Sequence, residues 1–231
     1  MTTFDQTVKV EIENLVIPVQ GGIASDVVLS IDQVNGLQNS PNIVPVTNFV
    51  KDFLSNYPNP NDFYENVSQN LTDAIVNNAP VLGLTGTFDT VSVELNRDPI
   101  ATLPYPFSSQ SIETATGNTD QLVKIQLSDR VIPVQGGTVA NATVNLDYVD
   151  NTETFANIIP LTQFVDDFLT NYPNPNDFYE NIGTNLTNSI VNNAPALGLA
   201  GVLDSISVKL ERSPDLGLFH PFSTKSTASI F

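Results

Sequence analysis

The feature that most constrains this chain is an internal repeat without a gap. Val16-Ile17-Pro18-Val19-Gln20-Gly21-Gly22 returns as Val131-Ile132-Pro133-Val134-Gln135-Gly136-Gly137, a displacement of 115 residues. The same displacement carries Asn56-Tyr57-Pro58-Asn59-Pro60-Asn61-Asp62-Phe63-Tyr64-Glu65-Asn66 onto Asn171 through Asn181 with every residue identical. It also carries Ile75 through Pro80 onto Ile190 through Pro195, and Pro106-Phe107-Ser108 onto Pro221-Phe222-Ser223. A match running from about Val8 to Ser111 is too long for a chance motif and its period is too long for a solenoid repeat, so each copy should be domain-sized. The expected units are residues 1–112 and 113–231, joined by a polar linker from Ser109 to Asp120 with its boundary near Gly117.

Within a copy, hydrophobic periodicity assigns the elements. Val8, Val10 and Ile12 alternate with Lys9, Glu11 and Glu13, the pattern of a half-buried strand ending near Pro18. The Gln20-Gly21-Gly22 turn leads to a second alternating run, Val27, Leu29 and Ile31, so the two strands form an antiparallel hairpin. From Pro45 the period changes to that of a helix, with Phe49, Val50, Phe53 and Leu54 on its stripe, and Tyr57-Pro58 ends it. Asn59-Pro60-Asn61-Asp62 reads as the start of a second helix, with an asparagine cap, proline at the first position and acidic Asp62 and Glu65 near the amide end. Period two returns at Val91, Val93 and Leu95, and a proline-broken fourth strand is expected from Ile100 to Phe107. The predicted fold class is α+β: a tandem duplication of a β-β-α-α-β-β unit, each an antiparallel four-stranded sheet with two helices on one face. The other face carries Lys9, Glu11, Ser30, Asp32, Ser92 and Glu94 and is polar.

This layout resembles the tunnelling fold, the unit shared by urate oxidase, 6-pyruvoyl-tetrahydropterin synthase and GTP cyclohydrolase. The local likeness is in Pro60-Asn61-Asp62-Phe63-Tyr64-Glu65-Asn66 and in the Val91 to Glu94 strand, which are similar to a helix start and a strand of the pterin branch. The resemblance implies assembly through sheet edges into a barrel with a tunnel inside. It also implies a purine-anchoring acid near Glu94, but the equivalent position in the second copy is Lys209. The catalytic residues do not carry over. Zinc-binding histidines and reactive cysteines are missing, and no family motif surrounds Lys9 or Lys124.

Composition narrows the chemistry further. The chain has no cysteine and one histidine, so disulfides, thiolate catalysis and cysteine-based metal sites are excluded and a three-histidine zinc site cannot be built within it. Eight Lys and Arg stand against 25 Asp and Glu, a net charge of −17, which disfavours nucleic-acid and anionic-membrane partners. No apolar run is long enough to span a bilayer, and the first residues lack signal-peptide character, so a cytoplasmic location is the default expectation.

The candidate sites are few. Asn59, Asn61, Asp62 and Glu65, with their copies Asn174, Asn176, Asp177 and Glu180, gather oxygen ligands suited to a hard cation, although helix capping explains the same residues. Tyr57, Tyr64, Tyr172 and Tyr179 suit either ligand stacking or packing against a helix start. His220 stands where the first copy has Tyr105, an aromatic exchange that suggests packing. Lys9, Glu94 and Lys124 are the residues that would have to line a pocket for a purine- or pterin-like heterocycle. The leading expectation is a non-enzymatic binding or assembly protein that forms a homo-oligomer through sheet edges, with no catalytic residue and no cofactor. An enzyme acting on such a heterocycle between units is the first alternative, and a calcium- or carbohydrate-binding module the second.

Overall fold

A computed structural model gives the fold for residues 6–34, 42–101, 103–134, 137–152, 154–212 and 221–230. Strands β1 (Thr7–Ile17) and β2 (Ile23–Gln33) precede helices α1 (Ile43–Ser55), α2 (Tyr64–Asn77) and the short α3 (Ala79–Leu82), and strands β3 (Phe88–Arg97) and β4 (Phe107–Thr114) follow. The second half holds β5 (Thr119–Ile132), β6 (Thr138–Tyr148), α4 (Ile158–Thr170), α5 (Tyr179–Asn192), β7 (Leu203–Arg212) and β8 (Phe222–Ser229). All eight strands belong to one sheet in the order β1-β2-β3-β4-β5-β6-β7-β8, and β1 with β2, β2 with β3, β6 with β7 and β7 with β8 pair antiparallel.

This corrects the expected four-stranded sheets with two helices apiece. The segment Ser109 to Asp120 is not a linker. Its residues form most of β4, a turn and the start of β5, with the Thr114 amide donating to the Asn118 carbonyl at 2.9 Å and Gly117 at φ 85°. The fourth strand lies later than expected, at Phe107–Thr114, because Pro99, Pro104 and Pro106 withhold ladder donors; residues Ile100 and Leu103 form only an isolated bridge. Polar Ser109, Ser111 and Glu113 hide the strand from a hydrophobic-pattern reading, although they alternate with period two as strand residues do.

The chain divides into two compact units. The first comprises residues 1–98 and 108–122, the second 99–107 and 123–231. In the first unit Val27, Leu29 and Ile31 of β2 and Val91, Val93 and Leu95 of β3 are fully buried, as are Val46, Val50 and Leu54 of α1 and Val67, Leu71 and Ile75 of α2. Alternation puts the strand residues on one face and helical spacing puts the others on stripes that meet it. In the second unit Val144, Leu146, Ile206, Val208 and Leu210 meet Leu161, Val165, Leu169, Ile182, Leu186 and Ile190 in the same way. Burying each Leu or Ile contributes roughly 1.5–3 kcal/mol, so these layers are the main favourable term in each unit.

Local irregularities recur in both units. β1 carries a bulge between Ile12 and Leu15 where Asn14 adopts φ 54°, and Asp26 Oδ1 accepts its amide at 2.8 Å. In the second unit Asp129 adopts φ 56° and the Asn141 side-chain oxygen accepts its amide at 2.9 Å. α1 is capped by Asn42, whose side chain accepts from the Val44 amide, and α4 likewise by Asn157.

Candidate functional site

The Asn-Pro-Asn-Asp segments do not open the second helices. α2 starts at Tyr64, with Phe63 at the cap position and no side-chain cap, and α5 starts at Tyr179 in the same manner. Asn59 to Asp62 is instead a turn: the Asp62 amide donates to the Asn59 carbonyl at 3.3 Å and the Asn61 amide to Asn59 Oδ1 at 3.2 Å. The sequence signature of a helix start is thus absorbed by a tighter local structure, because asparagine and aspartate bond backbone amides just ahead of themselves.

Asp62 is a hub. Its Oδ2 accepts the Tyr57 hydroxyl at 2.7 Å, and its Oδ1 accepts the Phe63 amide at 3.0 Å and the Asn66 side-chain amide. Asn70 donates to the Tyr57 hydroxyl oxygen at 2.6 Å. Burial, then the bond to Asp62, pushes the Tyr57 phenol up to about 12. In the second unit Asp177 takes the same bonds from Tyr172, Phe178 and Asn181, with Asn185 donating to Tyr172. The Asn181 bond is the first cause that holds the Asp177 carboxyl below its ordinary value. The two hubs tie the end of one helix to the start of the next.

The glycine turn docks on this hub in the first unit. The Gln20 amide donates to the Pro60 carbonyl at 2.8 Å and its Nε2 to the Asp62 carbonyl at 3.2 Å, while its Oε1 accepts from Arg97 Nη1 at 3.1 Å. The buried Arg97 guanidinium lies 5.4 Å over the Tyr64 ring, and the Tyr64 and Ser25 hydroxyls are 3.0 Å apart. The two most similar stretches of the repeat therefore meet in space. Gln135, Gly136 and His220 lie outside the described residues.

The cation candidates separate. Asn59 Oδ1 and both Asp62 oxygens accept hydrogen bonds, Asn61, Asn174 and Asn176 are exposed, and Glu65 is buried at 3% exposure while Glu180 is exposed. Desolvation raises the Glu65 carboxyl to about 7. Among the described residues no three acidic or histidine side chains are grouped as metal ligands. All four tyrosines of the motif, Tyr57, Tyr64, Tyr172 and Tyr179, are buried in packing.

The heterocycle candidates sit on separate strands, Lys9 on β1, Glu94 on β3 and Lys124 on β5. Lys9 forms an exposed ion pair with Glu11 at 2.7 Å, a bond that raises its pKa, and Glu94 also acts on it. Lys124 is exposed on β5. A shallow cavity of about 370 Å³ in the first unit is lined by other residues: Gln6, Thr7, Asp32, Gln33, Asp89 and Thr90. There Asp32 accepts hydroxyl hydrogen bonds from Thr7 at 2.5 Å and Thr90 at 2.7 Å, which bind three adjacent strands together.

A polar seam that the sequence reading missed lies under α2. Ser68 and Ser109 hydroxyls are 2.9 Å apart, and Gln121 Nε2 donates to Ser109 at 2.6 Å and to Ser68 at 3.1 Å. All three residues are buried. Beyond them Glu113 is paired with Asp73, and desolvation followed by the Asp73 carboxyl raises it to about 8. No protein-family model matches this chain, and neither does any curated protein sequence.

Proposed function

We propose that the protein is a non-enzymatic assembly protein whose partner is a second copy of itself, joined through the edges of its sheet. The observation that carries this reading is the exposure of the two end strands. Among the described residues β1 and β8 each have one neighbour in the strand order. Val8 and Val10 of β1 are only half-buried, whereas Val123 and Ile125, their equivalents on the interior strand β5, are fully buried. β8 alternates between half-buried and exposed along its whole length, whereas the equivalent β4 is mostly buried. Unpaired edge amides and carbonyls next to half-covered apolar residues are a template for another strand.

Edge strands in monomers are commonly guarded by inward-pointing charge. Here Lys9 and Glu11 of β1 are exposed, on the opposite side of the strand from Val8, Val10 and Ile12. Lys225 of β8 alternates in the same way with Thr224 and Ser226. The helix-side rows of both edges are uncharged.

Light scattering on a sizing column over a wide range of protein concentration tests the reading. A discrete mass above the 25.0 kDa of one chain is expected. Hydrogen exchange should then slow in β1 and β8 as concentration rises. A 25.0 kDa species at every concentration overturns the proposal.

A further inference from the structure

Resting on that self-assembly reading, we infer that the edges join head to tail, β1 of one copy along β8 of the next, in a register locked by Gln6 against Thr224. The first unit already contains the template. There Thr119 to Leu122 of β5 run beside β4, and the Thr114–Asn118 bond places Gln121 across from Ser111 and diagonal to Ser109. Gln121 reaches that diagonal neighbour and Ser68 of α2 through its side-chain amide. In the second unit β8 takes the place of β4 and α5 that of α2, and among the described residues nothing occupies the place of β5.

The 115-residue displacement says which residues would fill it. Gln121 corresponds to Gln6, Ser109 to Thr224, Ser111 to Ser226 and Ser68 to Gly183. Gln6 is exposed, and its backbone carbonyl is already held in the sheet by the Gln33 amide at 2.9 Å. Thr224 and Ser226 are half-buried on the helix side of β8, beside Gly183: a Cβ at Gly183 would sit 3.7 Å from Thr224 Cγ2. An arriving β1 in the template register sets Val10 across from Phe222, Val8 across from Thr224 and Gln6 across from Ser226. Gln6 Nε2 then donates diagonally to the Thr224 hydroxyl, as Gln121 does to Ser109. Glycine at 183 lacks the second acceptor that Ser68 provides in the template, and a serine there meets only ordinary contacts.

The contact is heterologous, so each copy offers one β1 and one β8 edge, and closure of a ring or growth of a chain both follow from it. Val8→Lys blocks the first edge and Ser226→Lys the second, each by placing a charge where the partner strand would bury it. Light scattering should give a single-chain mass for either variant alone and a two-chain mass for their equal mixture, because each retains the edge the other lacks. Circular dichroism and a melting curve establish that both fold. Gln6→Ala added to the Ser226→Lys chain, which supplies β1, should weaken the mixed dimer by about tenfold, the scale of one lost hydrogen bond, and Gly183→Ser added to the Val8→Lys chain, which supplies β8, should tighten it. If wild type assembles but either blocked variant dimerises with itself, the edges pair symmetrically; the head-to-tail inference falls while self-assembly stands. If wild type is monomeric throughout, both fall. An unchanged mixed dimer in Gln6→Ala overturns the Gln6 register lock.

Discussion

A carboxylate that accepts three hydrogen bonds from a tyrosine, an asparagine and a backbone amide cannot be removed without leaving several donors unmet. Asp62 and Asp177 are such groups, each joining a tyrosine two residues past one helix to the first turn of the next. Asp62→Ala should cost about 1–3 kcal/mol in urea unfolding, and Asp177→Ala should lower the urea midpoint in the same direction, since the same kinds of partner are stranded in each unit. Burial acts oppositely on Glu65. Its folded pKa, about 7, stands above the ordinary 4.5, so the folded state holds a proton that the unfolded state releases between those values. The stabilisation linked to that proton is complete below about pH 4.5 and is lost as pH rises toward 7. Glu65→Gln should therefore change stability little at pH 4.5 and raise it at pH 8, by on the order of 1–3 kcal/mol. Thermal melts of the wild type and the variant across this range decide it.

At the scale of elements, repeated devices aim the strands and join the helices. The bulge in β1 puts Asn14 in the left-handed region and anchors it to Asp26, and β5 does the same with Asp129 and Asn141. Asparagine and aspartate tolerate that conformation where β-branched residues do not. Asn14→Gly should be nearly neutral and Asn14→Val should cost roughly 1–2 kcal/mol, measured by chemical denaturation. In the second unit the irregular segment before β4 is fastened differently. Arg130 stacks 5.2 Å over the Tyr105 ring and pairs with Asp166 of α4 at 2.9 Å, and Tyr105 donates to the same carboxylate at 3.0 Å. The first-copy equivalents, Leu15 and Lys51, cannot make that pair, so this fastening belongs to one copy only.

For the whole molecule, a net charge of −17 opposes any association of like copies. At low ionic strength that repulsion acts over long distances and at physiological salt it is screened beyond about 8 Å. Self-association should therefore strengthen from about 10 mM to 150 mM sodium chloride in sedimentation or light-scattering titrations, the reverse of an interface held by opposite charges.

Much of the architecture could be read from the residues themselves. Alternation in Val8 to Ile12, Val27 to Ile31 and Val91 to Leu95 gave strands, and the stripes of α1 and α2 gave helices, because local geometry fixes which side chains share a face. The turn at Asn59 to Asp62 and the strand at Ser109 to Glu113 could not be read that way. Short polar side chains suit a helix cap, a linker, a tight turn or a buried strand equally, until a distant partner such as Gln20, Ser68 or Gln121 meets them. The sequence by itself determined three strands and the two longer helical stripes of each copy and their 115-residue correspondence. Tertiary structure alone decided that β4 and β5 continue one sheet, that in the first unit the glycine turn meets the Asn59–Asp62 turn through Gln20, and that Glu65 is buried while the identical Glu180 is exposed. Burial and hydrogen-bond partners are properties of what surrounds a residue, and identical residues in the two copies have different surroundings.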